Sequence, residues 1–274
     1  MRTHWLLICA THAPNVAFGM MSPMSTFTFI CIGVATLITA FISGILGMAG
    51  GMILMGLLLA LLSLPAAMMM HGITQMASNG WRALMWRANV NWRVFRGYTL
   101  GAAVAMAAFI VVQLVVSKPL AYLLLGLTPF VSFALPKRLA LNVDRPSHPF
   151  ICGMICTAMQ LLAGVSGPLL DVFFVQSAMD RRGVVATKAM SQTFGHAIKI
   201  AYFGSIGAAT SEGFAAGLTM PLIVTCVALA FTGTTLSKRV LDKISDANFR
   251  LWTQWTVMTM GVIYLGYAGV LFTR

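Results

Sequence analysis

Charge is what this chain has least of. Only 9% of its 274 residues are charged and just six are acidic, while 59% are hydrophobic. A soluble chain carries about 25% charged residues, so the surface of a water-borne globule cannot be assembled from this composition. Carboxylates are too few for paired acid–base chemistry, and no HExxH, GxSxG or P-loop motif occurs. An enzyme is therefore not expected, and neither a cofactor nor a metal is called for. Cysteine is sparse too. Cys9, Cys31, Cys152, Cys156 and Cys226 include no CxxC pair, and all but Cys9 lie in apolar stretches. That pattern suits small packing residues between helices rather than a disulfide framework.

What is present is apolar sequence in helix-length runs, with a mean hydropathy of +0.87. A transmembrane helix needs about 20 apolar residues, and it satisfies its own backbone groups where lipid cannot. The class expected is all-α, polytopic and membrane-embedded. Ten segments are predicted near 26–46, 51–64, 66–88, 97–116, 119–136, 149–165, 168–179, 182–206, 214–236 and 251–272. The second and seventh are too short to span straight across. Each follows a glycine-rich break, Gly44-Ile-Leu-Gly-Met-Ala-Gly-Gly51 and Gly164-Val-Ser-Gly-Pro168. Residues 1–25, with a short apolar stretch from Trp5 to Ala10, read as a tail, and residues 137–148 as a cytoplasmic linker between repeats at 26–136 and 149–272.

The net charge of +12 is not a nucleic-acid signature, because the basic residues sit in tufts between apolar runs. Arg82, Arg87, Arg93 and Arg96 follow the third segment; Lys137, Arg138 and Arg145 follow the fifth. Arg181 and Arg182 precede the eighth; Lys238, Arg239, Lys243 and Arg250 precede the tenth. If all ten segments cross, these tufts share one side, and the other side carries Lys118, Glu212 and little else. By the positive-inside rule the tufts are cytoplasmic and both termini external. A multi-pass protein of a cell inner membrane is expected, with the lipid bilayer and a small anionic substrate as partners and homodimerisation left open.

A shift of 117 residues lays the third segment over the eighth. His71-Gly-Ile-Thr-Gln-Met-Ala-Ser-Asn79 falls on Lys188-Ala-Met-Ser-Gln-Thr-Phe-Gly-His196, matching Thr74 to Ser191, Gln75 to Gln192, Asn79 to His196 and Arg82 to Lys199. The same frame aligns Gly47 with Gly164 and Gly50 with Gly167. Two apolar helices can resemble each other by chance, but polar positions and glycine breaks agreeing in one frame argue for duplication. Five segments per half is an odd number, so the halves are inverted, as in many secondary transporters.

Polar residues inside a span are costly and point to function. His71, Thr74, Gln75 and Ser78 share one helical face, and Lys188, Ser191, Gln192 and Gly195 repeat it. Interhelical hydrogen bonding is the plain alternative; for Thr74 and Ser191 it carries equal weight. The candidate substrate ligands are Gln75, Gln192, Thr74, Ser191, Asn79 and His196, with Lys188, Lys199 and Arg82 attracting an anion. The breaks add Gly47, Gly50, Gly51, Gly164 and Gly167, whose following helices offer unpaired N–H groups to an anion; Gly44 is assigned to packing. Asp171 either pairs with Lys188 or carries a coupling proton, for which His71 is a second candidate.

At these residues the chain resembles the sulfite exporter TauE/SafE family of probable sulfur-compound and sulfonate permeases. The likeness lies in the Gly44–Gly51 break, the short helix ending at Pro65 and the polar third span. It extends to Arg87-Ala-Asn-Val-Asn-Trp-Arg93, like that family's G-x-V-D-W-R stretch, and to Arg182-Gly-Val-Val-Ala-Thr-Lys188, covering residues 26–272. Ala49, Ser166 and Pro168 interrupt the glycine runs of the family pattern, and Asp171 adds an acid. The resemblance implies export of a small sulfur-containing anion such as sulfite, sulfoacetate or another organosulfonate. Two other readings stand beside it: import of a small organic anion, and a membrane assembly or accessory subunit without cargo, which would have no need of duplicated polar stripes.

Overall fold

The computed structural model describes residues 25–135, 141–209, 218–241 and 246–273. Residues 1–24 with Cys9, and Lys137, Arg138, Glu212 and Lys243, lie outside the described residues, as does the side chain of Arg250. Among the described residues ten α-helices follow one another: α1 Thr26–Leu46, α2 Ala49–Leu61, α3 Leu64–Met85, α4 Trp92–Val112, α5 Lys118–Ala134, α6 His148–Ala163, α7 Gly167–Phe174, α8 Arg181–Ala209, α9 Met220–Leu241 and α10 Asp246–Phe272. A 3₁₀ turn at Arg87–Asn89 joins α3 to α4.

The starts of these helices are written locally. Pro occupies the first turn of α3, α5, α6 and α7, where its missing N–H costs nothing. Ser25 and Asn91 cap α1 and α4, accepting from the Thr28 and Val94 amides. The Asn91 cap is why α4 begins at Trp92 rather than near 97: the tuft Arg93–Arg96 lies inside its first turns. The ninth and tenth helices also depart from expectation, starting at Met220 and Asp246.

Among the described residues, α1, α4, α9 and the Leu251–Phe272 part of α10 are long and apolar enough to cross a membrane. Large apolar side chains such as Ile30, Val34, Leu100, Val111, Trp255 and Val262 stand exposed on them, as a lipid-facing surface requires. α3 and α8 are more polar and sit centrally, packed on each other. α3 buries His71, Thr74, Gln75, Ser78 and Asn79.

Helix pairing reproduces the duplication. The shift of 117 lays α1 on α6, α2 on α7 and α3 on α8, and helix order then pairs α4 with α9 and α5 with α10. Contact α1/α9 then becomes α6/α4, α2/α10 becomes α7/α5, and α3/α9 becomes α8/α4; α3/α8 and α5/α10 map onto themselves. All of these contacts are present. The fold is two inverted five-helix repeats. At the α4/α6 contact the backbones touch through glycine: a Cβ on Gly101 would overlap the Phe150 carbonyl, and one on Gly153 the Tyr98 carbonyl. Small residues permit such approach where lipid supplies no hydrophobic drive for association.

The basic tufts gather at one end. Arg93 donates to the Asp144 carbonyl at 2.6 Å, Asn142 to the Gln176 carbonyl at 3.0 Å, and the Arg182 guanidinium lies 5.5 Å from the Trp86 ring centre. These contacts tie the α3–α4, α5–α6 and α7–α8 connections together. At the opposite end Lys118 donates to the Leu62 carbonyl at 3.0 Å and so caps α2.

Candidate functional site

Both glycine breaks come to one small chamber between the halves. Gly47 and Gly164 end α1 and α6 with φ of +67° and +80°, a backbone region costly for any side chain. The chain thereby turns from α1 into α2 and from α6 into α7 with their first turns at the chamber wall: Met48 and Gly51 from one break, Val165, Ser166 and Gly167 from the other. Neither N-terminus receives a side-chain cap. α3 contributes His71, Gln75 and Asn79, and α8 contributes Gln192 and His196. The chamber holds about 10 Å³, room for about one water, and no carboxylate lines it.

A much larger vestibule of about 530 Å³ lies toward the basic end, sharing Ser43, Gly47, Met48 and Gln192 with the chamber. Arg82, Arg181, Lys188 and Lys238 line it. Gln192 therefore stands where the two spaces meet, while Gln75 lies wholly within the chamber.

The polar stripes divide in the folded protein. His71, Gln75 and Asn79, four residues apart, face the chamber. Thr74 instead donates to the Met70 and His71 carbonyls of its own helix, and Ser78 bonds Thr234 of α9 at 2.7 Å. Ser191 is fully buried, with no hydrogen-bond partner, outside both spaces. Gly51 does border the chamber, and a Cβ there would stand 3.2 Å from Gln75 Oε1. Gly50 packs on the Thr39 carbonyl of α1 and Gly164 on Met55, so these two glycines serve packing and turning. Gly44 packs on Ser237, at the vestibule rim.

The cations have specific partners. Arg82 donates to the Ser43 carbonyl at 3.1 Å in the last turn of α1, and Lys199 to the Gly164 carbonyl at 2.9 Å at the end of α6. Corresponding residues thus cap corresponding helix C-termini, where positive charge is favoured. Lys199 is fully buried and lines neither space. Lys188 forms an ion pair with Asp171 of α7 at the vestibule wall. His71 donates through Nε2 to the Gly51 carbonyl at 2.9 Å, and its Nδ1 lies 2.7 Å from Lys199 Nζ. The His71 and His196 rings meet edge to face at 5.4 Å.

Sequence reasoning missed Ser43, Gln160 and Ser166. Gln160 lies 3.0 Å from His196 Nδ1 and accepts from Ser166 Oγ at 2.9 Å. The signal was available: Gln160 is a lone long polar side chain in an apolar run just before a glycine break, and the 117-residue shift lays it on Ser43, at the same place in the first half. Among the described residues no cluster of His, Cys, Asp or Glu suits a metal ion.

A family model described as Sulfite exporter TauE/SafE matches residues 31–264. No curated protein and no solved structure matches the chain.

Proposed function

We propose that this chain, which belongs to the sulfite exporter TauE/SafE family, exports a small sulfur anion of the sulfite, sulfoacetate or organosulfonate class across a cell inner membrane. Family membership makes it a multi-pass permease for sulfite-type anions; the substrate within that class and the outward direction are our reading. The observation that carries it is the pairing of an acid-free donor chamber, between two uncapped helix N-termini, with a vestibule lined by cations. An anion entering from the basic end meets Arg82, Lys188 and Lys238 first. Gln192 and Gln75 then offer amide N–H donors, with Asn79 and the first turns of α2 and α7 beyond them. Sulfonate oxygens accept several such donors at once, whereas a cation would find no carboxylate.

A chamber with room for about one water does not hold sulfite, so loading requires the halves to part around the breaks. In an inverted-repeat protein that motion is a rocking of one repeat on the other, about a site fixed at their interface. The test is thermal unfolding of purified protein with sulfite, sulfoacetate, taurine or acetate. A ligand at a hundred times its Kd stabilises by about 2.7 kcal/mol. Sulfite or sulfoacetate is expected to raise Tm, and acetate and zwitterionic taurine to do less. An equal rise with acetate would remove the sulfur specificity. Efflux from loaded proteoliposomes, with orientation fixed by labelling, checks direction.

A further inference from the structure

Behind the chamber lies a buried lysine side chain with no acidic partner among the described residues. Lys199 is fully buried, and its Nζ has two polar partners, Gly164 O at 2.9 Å and His71 Nδ1 at 2.7 Å. The ionisable neighbours supply no negative charge. On α3 they are His71 and Arg82; on α8, His196 and Lys188; on α7, Asp171, which is committed to Lys188. α1, α2 and α6 contain no Asp or Glu, and α4 brings only Arg93, Arg96 and Tyr98. Burying an unpaired charge is among the most expensive things a protein does, and such groups normally lose the charge or acquire a partner.

The two halves treat the equivalent positions differently. Where the first half caps its broken helix with Arg82, the second uses Lys199. A guanidinium keeps its proton in any protein setting, whereas a buried lysine releases it readily. Where the second half has Lys188 with Asp171, the first has His71 with no acid. Permanent charge therefore stands at the vestibule wall, as Arg82 from the first half and the Lys188–Asp171 pair from the second, while one titratable group from each half, His71 and Lys199, meets the other behind the chamber. His71 joins them to the substrate space: its ring lines the chamber, its Nε2–H donates to Gly51 O, and its Nδ1 lone pair accepts from Lys199.

We propose that the His71–Lys199 pair is a proton site that fills when an anion enters the chamber, so that the anion is carried together with a proton. This rests on the chamber being the anion site, as proposed above. The empty pair holds a neutral imidazole and a neutral amine. Anion arrival supplies the missing negative charge, and one proton from water is taken up by the pair: the Lys199 amine becomes ammonium, with His71 Nδ1 still its acceptor. Departure of the anion releases that proton. The pair titrates as one unit, the proton being shared along the Nδ1–Nζ contact.

The experiment is calorimetric titration of purified protein with sulfoacetate, whose acid groups stay ionised between about pH 6 and 8, in buffers of differing ionisation enthalpy. The parent is expected to take up about one proton per anion, with affinity falling toward tenfold per pH unit as pH rises. Lys199→Arg, permanently charged, is expected to bind without uptake and with a flat pH profile. Binding by the parent with no uptake overturns the proton site and leaves the anion site standing. Uptake retained in Lys199→Arg overturns the assignment to this pair. If that variant does not fold, His196→Gln decides: uptake that persists supports the pair, and uptake that vanishes moves the proton to His196. Absence of sulfoacetate binding removes the anion site for this class, and the proton site with it.

Discussion

Gly47 and Gly164, separated by 117 positions in the chain, leave their helices at the same point of two inverted repeats, with φ of +67° and +80°. The space around them differs. A Cβ on Gly47 would meet nothing within 4 Å, whereas one on Gly164 would stand 2.6 Å from Met55 Sδ. Gly47→Ala is therefore expected to cost about 1–2 kcal/mol from backbone strain alone, and Gly164→Ala more. Thermal unfolding in detergent measures both; a neutral Gly164→Ala would show that the break tolerates another backbone path.

Gln75→Ala and Gln192→Ala are expected to weaken sulfoacetate binding while leaving Tm nearly unchanged. A hydrogen bond to a charged group is worth about 1.5–3 kcal/mol, roughly ten- to a hundredfold in affinity. Parent-like binding by both variants would make the glutamines packing residues.

Thr74→Val supplies the contrast within the same stripe. Its hydroxyl bonds only to carbonyls of its own helix, a contact of little net value, so affinity is expected to stay within about twofold of the parent. A tenfold loss in a stable variant would bring Thr74 to the ligand in the loaded state.

The Lys188–Asp171 pair predicts coupling between two variants. Each side chain retains some exposure, 22% and 39%, so Lys188→Gln or Asp171→Asn alone is expected to cost about 1–3 kcal/mol by stranding its partner. The double variant is expected to recover most of that, read as a non-additive Tm in a double-mutant cycle. Additive losses would mean that the two charges do not depend on each other.

Single cysteines at positions 91 and 118, in a background lacking the native ones, test the orientation. Position 91 joins the basic connections and is expected to react from the cytoplasmic side; position 118, at the α2 end, from outside. Labelling of both from one side would mean that α4 does not cross the membrane.

Much of the site was legible because duplication writes it twice. Gln75 with Gln192 and Asn79 with His196 stand out only when the halves are overlaid, and each of these residues lines the chamber. The same overlay could not separate Thr74 from Gln75, since both lie on one broad helical face. A hydroxyl is short enough to satisfy itself on the backbone of its own turn, whereas a longer amide must reach outward. Nor could it distinguish glycines that border the chamber, Gly47, Gly51 and Gly167, from Gly50 and Gly164, whose role depends on which neighbour lies against them.

The sequence by itself determined the class, the ten helices, the two broken ones and the inverted pairing. Those follow from hydropathy, helix-start residues and a repeat frame, all of which act locally or through whole segments. Only the tertiary structure decided which cation serves which purpose. Arg82, Lys188 and Lys199 read alike in the chain, as positive charge within polar spans. In the fold, Arg82 and Lys199 cap the ends of α1 and α6, Lys188 is neutralised by Asp171, and Lys199 alone meets an imidazole in a buried place. A charge in a low-dielectric interior is defined by what lies within a few ångströms of it, and in this protein those neighbours come from distant parts of the chain.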